Sequence, residues 1–120
     1  MPSVPLAGRL ILIVEDEPLV ALDVAKTLRS AGAKVLSAGY VESGLFSSEH
    51  PDLSAAVVDL RLGDGDGTAV CRRLHQMGVP FLLYTAYAPD WAAEHWPNVP
   101  VVRKPAAPGQ LVATLTSLLR

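Results

Sequence analysis

Glu15-Asp16, Asp59, Thr85 and Lys104 lie far apart in the chain, yet each stands at the end of a predicted strand. Leu10 to Val14 leads into Glu15-Asp16, and Ala55 to Val58 leads into Asp59. Phe81 to Tyr84 leads into Thr85, and Val101 to Arg103 leads into Lys104-Pro105. In an open parallel sheet the carboxyl ends of the strands share one edge, and ligands bind there. That edge could gather three carboxylates, a hydroxyl and an ammonium. Three clustered carboxylates repel one another unless a cation joins them. Mg2+ suits a few carboxylates, several waters and a phosphate oxygen. A carboxylate is also a nucleophile able to form an aspartyl-phosphate. The set therefore points to a divalent cation and a phosphoryl group.

The elements that must position these residues are legible as alternating apolar runs and amphipathic segments, the pattern of βαβ units. The first strand, about Leu10 to Val14, is continuously apolar, as expected when helices cover both faces of a sheet. Pro18 fits the first turn of a helix with Asp16 or Glu17 at its cap. That helix carries Leu19, Val20, Leu22, Val24 and Leu28 at helical spacing, and Gly32 ends it. A strand over Lys34 to Ala38 follows, then a helix from about Val41 to His50 stopped by Pro51. The run Gly63-Asp64-Gly65-Asp66-Gly67 is expected to be a loop, because glycine at that density disfavours regular structure. A third helix spans about Thr68 to Met77, with Gly78 as its stop. Between Ala88 and Pro100 three prolines leave room only for a short helix, about Asp90 to His95, with Asp90 as its cap. A fifth strand, about Pro100 to Arg103, and a last helix, about Pro108 to Leu119, complete a (βα)5 order. The expected fold is α/β, a doubly wound parallel sheet of flavodoxin-like type with strand order 2-1-3-4-5.

At 120 residues the chain has the size of one domain. Half its residues are hydrophobic, which argues against disorder. Residues 1–8 are expected to be a loosely held lead-in and 9–120 the folded domain. The net charge of -2 comes with mixed signs, giving neither a basic stripe for nucleic acid nor a polybasic membrane anchor. No apolar run approaches the roughly 20 residues of a membrane span. Cys71 is the single cysteine, so no internal disulfide framework exists. This suits a reducing cytoplasm.

With these residues in order, the chain resembles the receiver domains of two-component signalling. The features are Glu15-Asp16 followed by Glu17-Pro18, Asp59 followed by Leu60 and a Gly/Asp-rich loop, Thr85-Ala86, and Lys104-Pro105. The resemblance implies that Asp59 accepts a phosphoryl group from a sensor histidine kinase or phosphotransfer protein, with Mg2+ as cofactor. It implies Asp16 and Asp59 as direct metal ligands, Glu15 as a ligand through water, and the backbone carbonyl of Arg61 as another. Lys104 would pair with a phosphoryl oxygen, across a cis bond to Pro105, and Thr85 would donate its hydroxyl to a second oxygen. Such a domain is a signalling switch with phosphoryl-transfer chemistry of its own, not an enzyme in the usual sense. Its output would pass through a downstream protein, or a homodimer, on the face of the fourth helix, fifth strand and fifth helix. The kinase would dock near the first helix.

Two departures bear on the switch. Many receivers carry an aromatic three residues before the lysine, where this chain has Val101. The aromatic is instead Tyr87, two residues after Thr85. Leu83-Tyr84-Thr85-Ala86-Tyr87 is similar to the Phe-Ala-Thr-Gly-Tyr motif of a mostly single-domain subgroup, which also has an abbreviated fourth helix. Gly63 stands where a proline is frequent.

Taken singly, each residue has a plainer reading. Asp59 could cap a loop, Glu15-Asp16 could complement a helix dipole, Lys104 could be solvated and Thr85 could be a β-branched strand residue. Asp64 and Asp66 lack the closing glutamate of a calcium loop. His50, His75 and His95 show no ligand spacing, and Cys71 reads as a small apolar packer. Trp91 and Trp96 could form a docking face or cover the core edge. No phosphate-cradling glycine loop follows the first strand, which argues against a flavin or nucleotide binder. A phosphate sink or relay intermediate, and a pseudo-receiver binding module, are the remaining alternatives to a switch.

Overall fold

The computed structural model describes residues 4–86 and 90–120. Five parallel strands form one sheet: β1 (Leu10–Val14), β2 (Lys34–Ala38), β3 (Ala55–Val58), β4 (Phe81–Thr85) and β5 (Val101–Arg103). Their order across the sheet is β2-β1-β3-β4-β5, as the sequence pattern predicts. Four helices connect them, α1 (Pro18–Ser30), α2 (Val41–Ser48), α3 (Thr68–Gln76) and α4 (Asp90–His95), and α5 (Pro108–Leu118) follows β5.

Successive strand side chains point to opposite faces, and that alternation divides the core in two. Ile11, Ile13, Ala55, Val57, Leu82 and Tyr84 face α1 and α5, meeting Val24, Leu28, Leu111 and Leu115. Leu12, Val14, Ala56, Val58, Phe81 and Leu83 face the other way, meeting Val70, Cys71, Leu74 and Ala92. Because both faces are covered, β1 and β3 are apolar without a break, and β4 is so up to Tyr84. Trp96 joins the second core and packs edge-on to Phe81 with ring centres 5.5 Å apart. It covers the core edge. The Trp91 side chain lies outside the described part of the structure.

Several expectations are corrected. Leu19 and Leu22 sit at helical spacing but are 81% and 49% exposed. The buried face of α1 is Val24, Ala25 and Leu28. The lead-in is not loose at Leu6, which is fully buried, while its N–H donates to the Ala31 carbonyl (2.9 Å). Helix α2 ends at Ser48, whose hydroxyl turns back to the Gly44 carbonyl (2.7 Å). Gly44 lets α2 lie close to α3, since a Cβ there would come within 2.9 Å of Val70. The glycine-rich stretch holds a small antiparallel ribbon, Arg61–Leu62 paired with Gly65–Asp66. Helix α4 begins at Asp90, as expected; Pro89 and Tyr87 lie outside the described residues.

Candidate functional site

Parallel register brings the strand ends level. Val14 sits opposite Ala38 and Val58, and Thr85 sits opposite Arg103. The residues that follow β1 and β3, Glu15-Asp16 and Asp59, therefore emerge on one edge. Backbone bonds hold them there: Glu15 N–H donates to the Ala38 carbonyl and Asp59 N–H to the Val14 carbonyl, both at 2.9 Å. Lys104 N–H donates to the Thr85 carbonyl (3.1 Å), tying the end of β5 to the end of β4.

At this edge Glu15, Asp16 and Asp59 each offer a carboxylate oxygen, all within 4.8 Å of one another. Glu15 and Asp59 are buried and Asp16 is exposed. The Lys104 ammonium donates to Glu15 Oε2 (2.5 Å) and Asp59 Oδ2 (2.7 Å). The other oxygen of Asp59 accepts the Arg61 N–H (3.0 Å), and Glu15 Oε1 accepts the Glu17 N–H (3.2 Å). Gly67 closes the loop over Asp59: a Cβ there would stand 2.6 Å from the Asp59 carbonyl oxygen. Only glycine fits that approach.

The electrostatics follow from burial and pairing. Burial pushes the Glu15 carboxyl above its ordinary value, and the Lys104 hydrogen bond only partly offsets this. For Lys104, burial works against the charged form. Hydrogen bonds to Asp59 and Glu15 outweigh it, so its pKa stands raised. One ammonium balances one of three clustered carboxylates. An all-oxygen set with one exposed member left open to water fits Mg2+.

Glu15, Asp16, Asp59 and Lys104 lie together at this edge, and Thr85 is buried at the end of β4 with its carbonyl bonded to the Lys104 N–H. The Lys104-Pro105 peptide bond is cis. Arg61 is exposed, with its backbone next to Asp59. Tyr87 lies outside the described residues, so the structure says nothing of it. Sequence reasoning gave Asp64 no role beyond its loop and Tyr84 no role at the site. Asp64 Oδ1 accepts the first N–H of α2 at Val41 (2.8 Å), which fastens the loop after Asp59 to that helix. Tyr84 places its ring 5.6 Å from Lys104 Nζ, and its hydroxyl accepts the Ala106 N–H (3.3 Å). The signal was a tyrosine where the resembled motif has alanine.

Known proteins share this fold. Residues 11–116 match the response regulator receiver domain family. The phyllosphere-induced regulator PhyR of Methylorubrum extorquens is 29% identical over 114 residues, spanning 91% of this chain but only 43% of PhyR. The receiver domain of sensor histidine kinase PA1611 from Pseudomonas aeruginosa is 27% identical with a TM-score of 0.82. The alignment covers 94% of this chain and 98% of that one, whose structure has a magnesium ion coordinated in the active-site cleft. A CheY-like receiver domain from Methanospirillum hungatei superposes with a TM-score of 0.87 over 94% of each chain at 24% identity, a likeness of fold. Receiver domains are signalling domains of two-component systems, not enzymes in the usual sense. The chain belongs to the response regulator receiver domain family.

Proposed function

We infer that Asp59 is the phosphoacceptor of a Mg2+-dependent switch, charged by a sensor histidine kinase or phosphotransfer protein. The observation that carries this is Asp59 itself: a buried carboxylate, gripped by Lys104 and the Arg61 N–H, within 4.8 Å of Glu15 and Asp16. Asp16 and Asp59 would hold Mg2+ directly, Glu15 through water, and Arg61 through its backbone carbonyl. The magnesium ion in the Pseudomonas aeruginosa receiver supports this set. When bound, the metal supplies positive charge against the phosphoryl oxygens.

An Asp59 oxygen attacks phosphorus of a phosphohistidine. The P–N bond breaks, its electron pair stays on the imidazole nitrogen, and the ring becomes neutral imidazole by taking a proton from solvent. Asp59 becomes an acyl phosphate. Lys104 moves its hydrogen bond from Asp59 to a phosphoryl oxygen, and the Thr85 hydroxyl takes another. Positioning and charge neutralisation are most of what this transfer needs. The added charge of about -2 then biases two pre-existing states. A groove lined by Pro18, Ala21, Leu22 and Tyr40 runs up to Glu15 and Asp16, and exposed Leu19 and Leu22 offer the donor an apolar landing. Output passes to a downstream protein, or a second copy, on the face of α4, β5 and α5. The six-residue α4 and the Thr85-Ala86-Tyr87 sequence support membership of the Phe-Ala-Thr-Gly-Tyr subgroup, with Tyr87 as the switch aromatic.

Fluoroberyllate mimics a phosphoryl group on a carboxylate and tests the reading by 19F NMR. Wild type should bind it in a Mg2+-dependent manner and Asp59→Asn should not. Binding retained in Asp59→Asn, or binding independent of the metal, would overturn the assignment.

A further inference from the structure

We propose that Tyr84 is a positioning residue for Lys104, acting through both its ring and its hydroxyl. The inference rests on the phosphoacceptor reading of the site. Tyr84 precedes Thr85 on β4 and points to the α1 and α5 side of the sheet, where it is 7% exposed. Its ring centre lies 5.6 Å from Lys104 Nζ, inside the roughly 6 Å over which a cation is attracted to an aromatic face. Its hydroxyl accepts the N–H of Ala106, two residues beyond Lys104 (3.3 Å). One side chain thus lies within cation–π range of the lysine's charged end and also anchors the backbone that carries it.

The two contacts matter because Lys104 has to change partners. Its ammonium is held by Glu15 and Asp59. On phosphorylation it must turn toward a phosphoryl oxygen without losing its place at the edge. The Glu15 and Asp59 bonds pull Lys104 toward the β1 and β3 ends of the site. The ring lies on the core side of the ammonium, and the hydroxyl fixes the turn into α5. A small side chain at position 84 would leave both jobs undone. Tyr84 therefore narrows the positions from which Lys104 can reach the phosphoryl group.

NMR on the unphosphorylated protein reads the contacts without any phosphoryl chemistry. Wild type should show cross-relaxation between the Tyr84 ring protons and the Lys104 side chain, with upfield-shifted Lys104 methylene protons. Tyr84→Phe should keep those Lys104 shifts while the Ala106 amide moves and exchanges faster with solvent. Tyr84→Leu should lose the Lys104 shifts. Acetyl phosphate with Mg2+ then reads the consequence: Tyr84→Leu should be phosphorylated about fivefold more slowly than wild type, with Tyr84→Phe recovering most of that loss. Thermal unfolding sets the temperature so that each variant is compared fully folded. The absence of cross-relaxation and upfield shifts in wild type would overturn the proposal, as would a wild-type rate in Tyr84→Leu. A wild type that takes no phosphoryl group, yet shows the NMR contacts, would instead count against the phosphoacceptor reading.

Discussion

At the scale of single residues, Lys104 sets the charge balance of the site. Burial disfavours its ammonium, and two carboxylate hydrogen bonds more than compensate, so its folded pKa is raised above 10.5. A cation raised in this way contributes stability that is fully present below 10.5 and is lost as pH rises through the folded value. Lys104→Met should therefore flatten the alkaline fall in stability, measured by urea denaturation from neutral pH upward; an unchanged alkaline limb would contradict the pairing. Cys71 is fully buried on α3, and burial pushes its thiol up to about 12. The thiolate is the reactive form. A thiol reagent at neutral pH should leave Cys71 unmodified until denaturant is added, and prompt labelling of the native protein would show the core opens there. Glu15, Asp16, Asp59, Thr85 and Lys104 were legible in the sequence because each closes a predicted strand, and parallel strands end together. Tyr84 was not legible as part of the site. An aromatic inside a strand reads as packing, and only the register shows which side chain it lies beside.

At the scale of elements, the division of each strand between two cores makes a sharp contrast along α1. Leu28 is fully buried, whereas Leu19 is 81% exposed. Leu28→Ala should cost about 2–5 kcal/mol, and Leu19→Ala should stay within about 0.5 kcal/mol. Chemical denaturation of both variants measures this, and equal losses would mean that Leu19 is packed in solution. Strands and helices were legible to within two residues or so because apolar periodicity reports burial. It failed at Leu19 and Leu22, which lie on the solvent face of α1, opposite the face of Val20, Val24, Ala25 and Leu28 that packs on the sheet. The ribbon of Arg61–Leu62 and Gly65–Asp66 was hidden for a different reason. Glycine and aspartate signal a turn, but two-residue pairing depends on backbone contacts that composition does not encode. Leu6 was missed because an isolated large apolar residue between Pro5 and Gly8 carries no periodicity, and its partner, the end of α1, is remote in the chain.

At the scale of the whole molecule, one sheet edge carries the chemistry and the fold holds it together at a cost. Three carboxylates share that edge with a single ammonium, so a divalent cation should stabilise the native state by mass action. Mg2+ at ten times its dissociation constant should add about 1.4 kcal/mol, seen as a rise in melting temperature. Asp16→Asn should reduce that rise, and an equal rise in that variant would place the cation elsewhere. The fold class followed from the alternation of elements, whereas the partners do not follow from it, because one fold serves many functions. The most direct measurement of the central claim is the intact mass of wild type and Asp59→Asn after incubation with acetyl phosphate and Mg2+. A single phosphoryl adduct on wild type, absent from Asp59→Asn and from samples stripped of metal, is the result predicted. A stable adduct on Asp59→Asn, or no adduct on a wild type that has bound Mg2+, would contradict it.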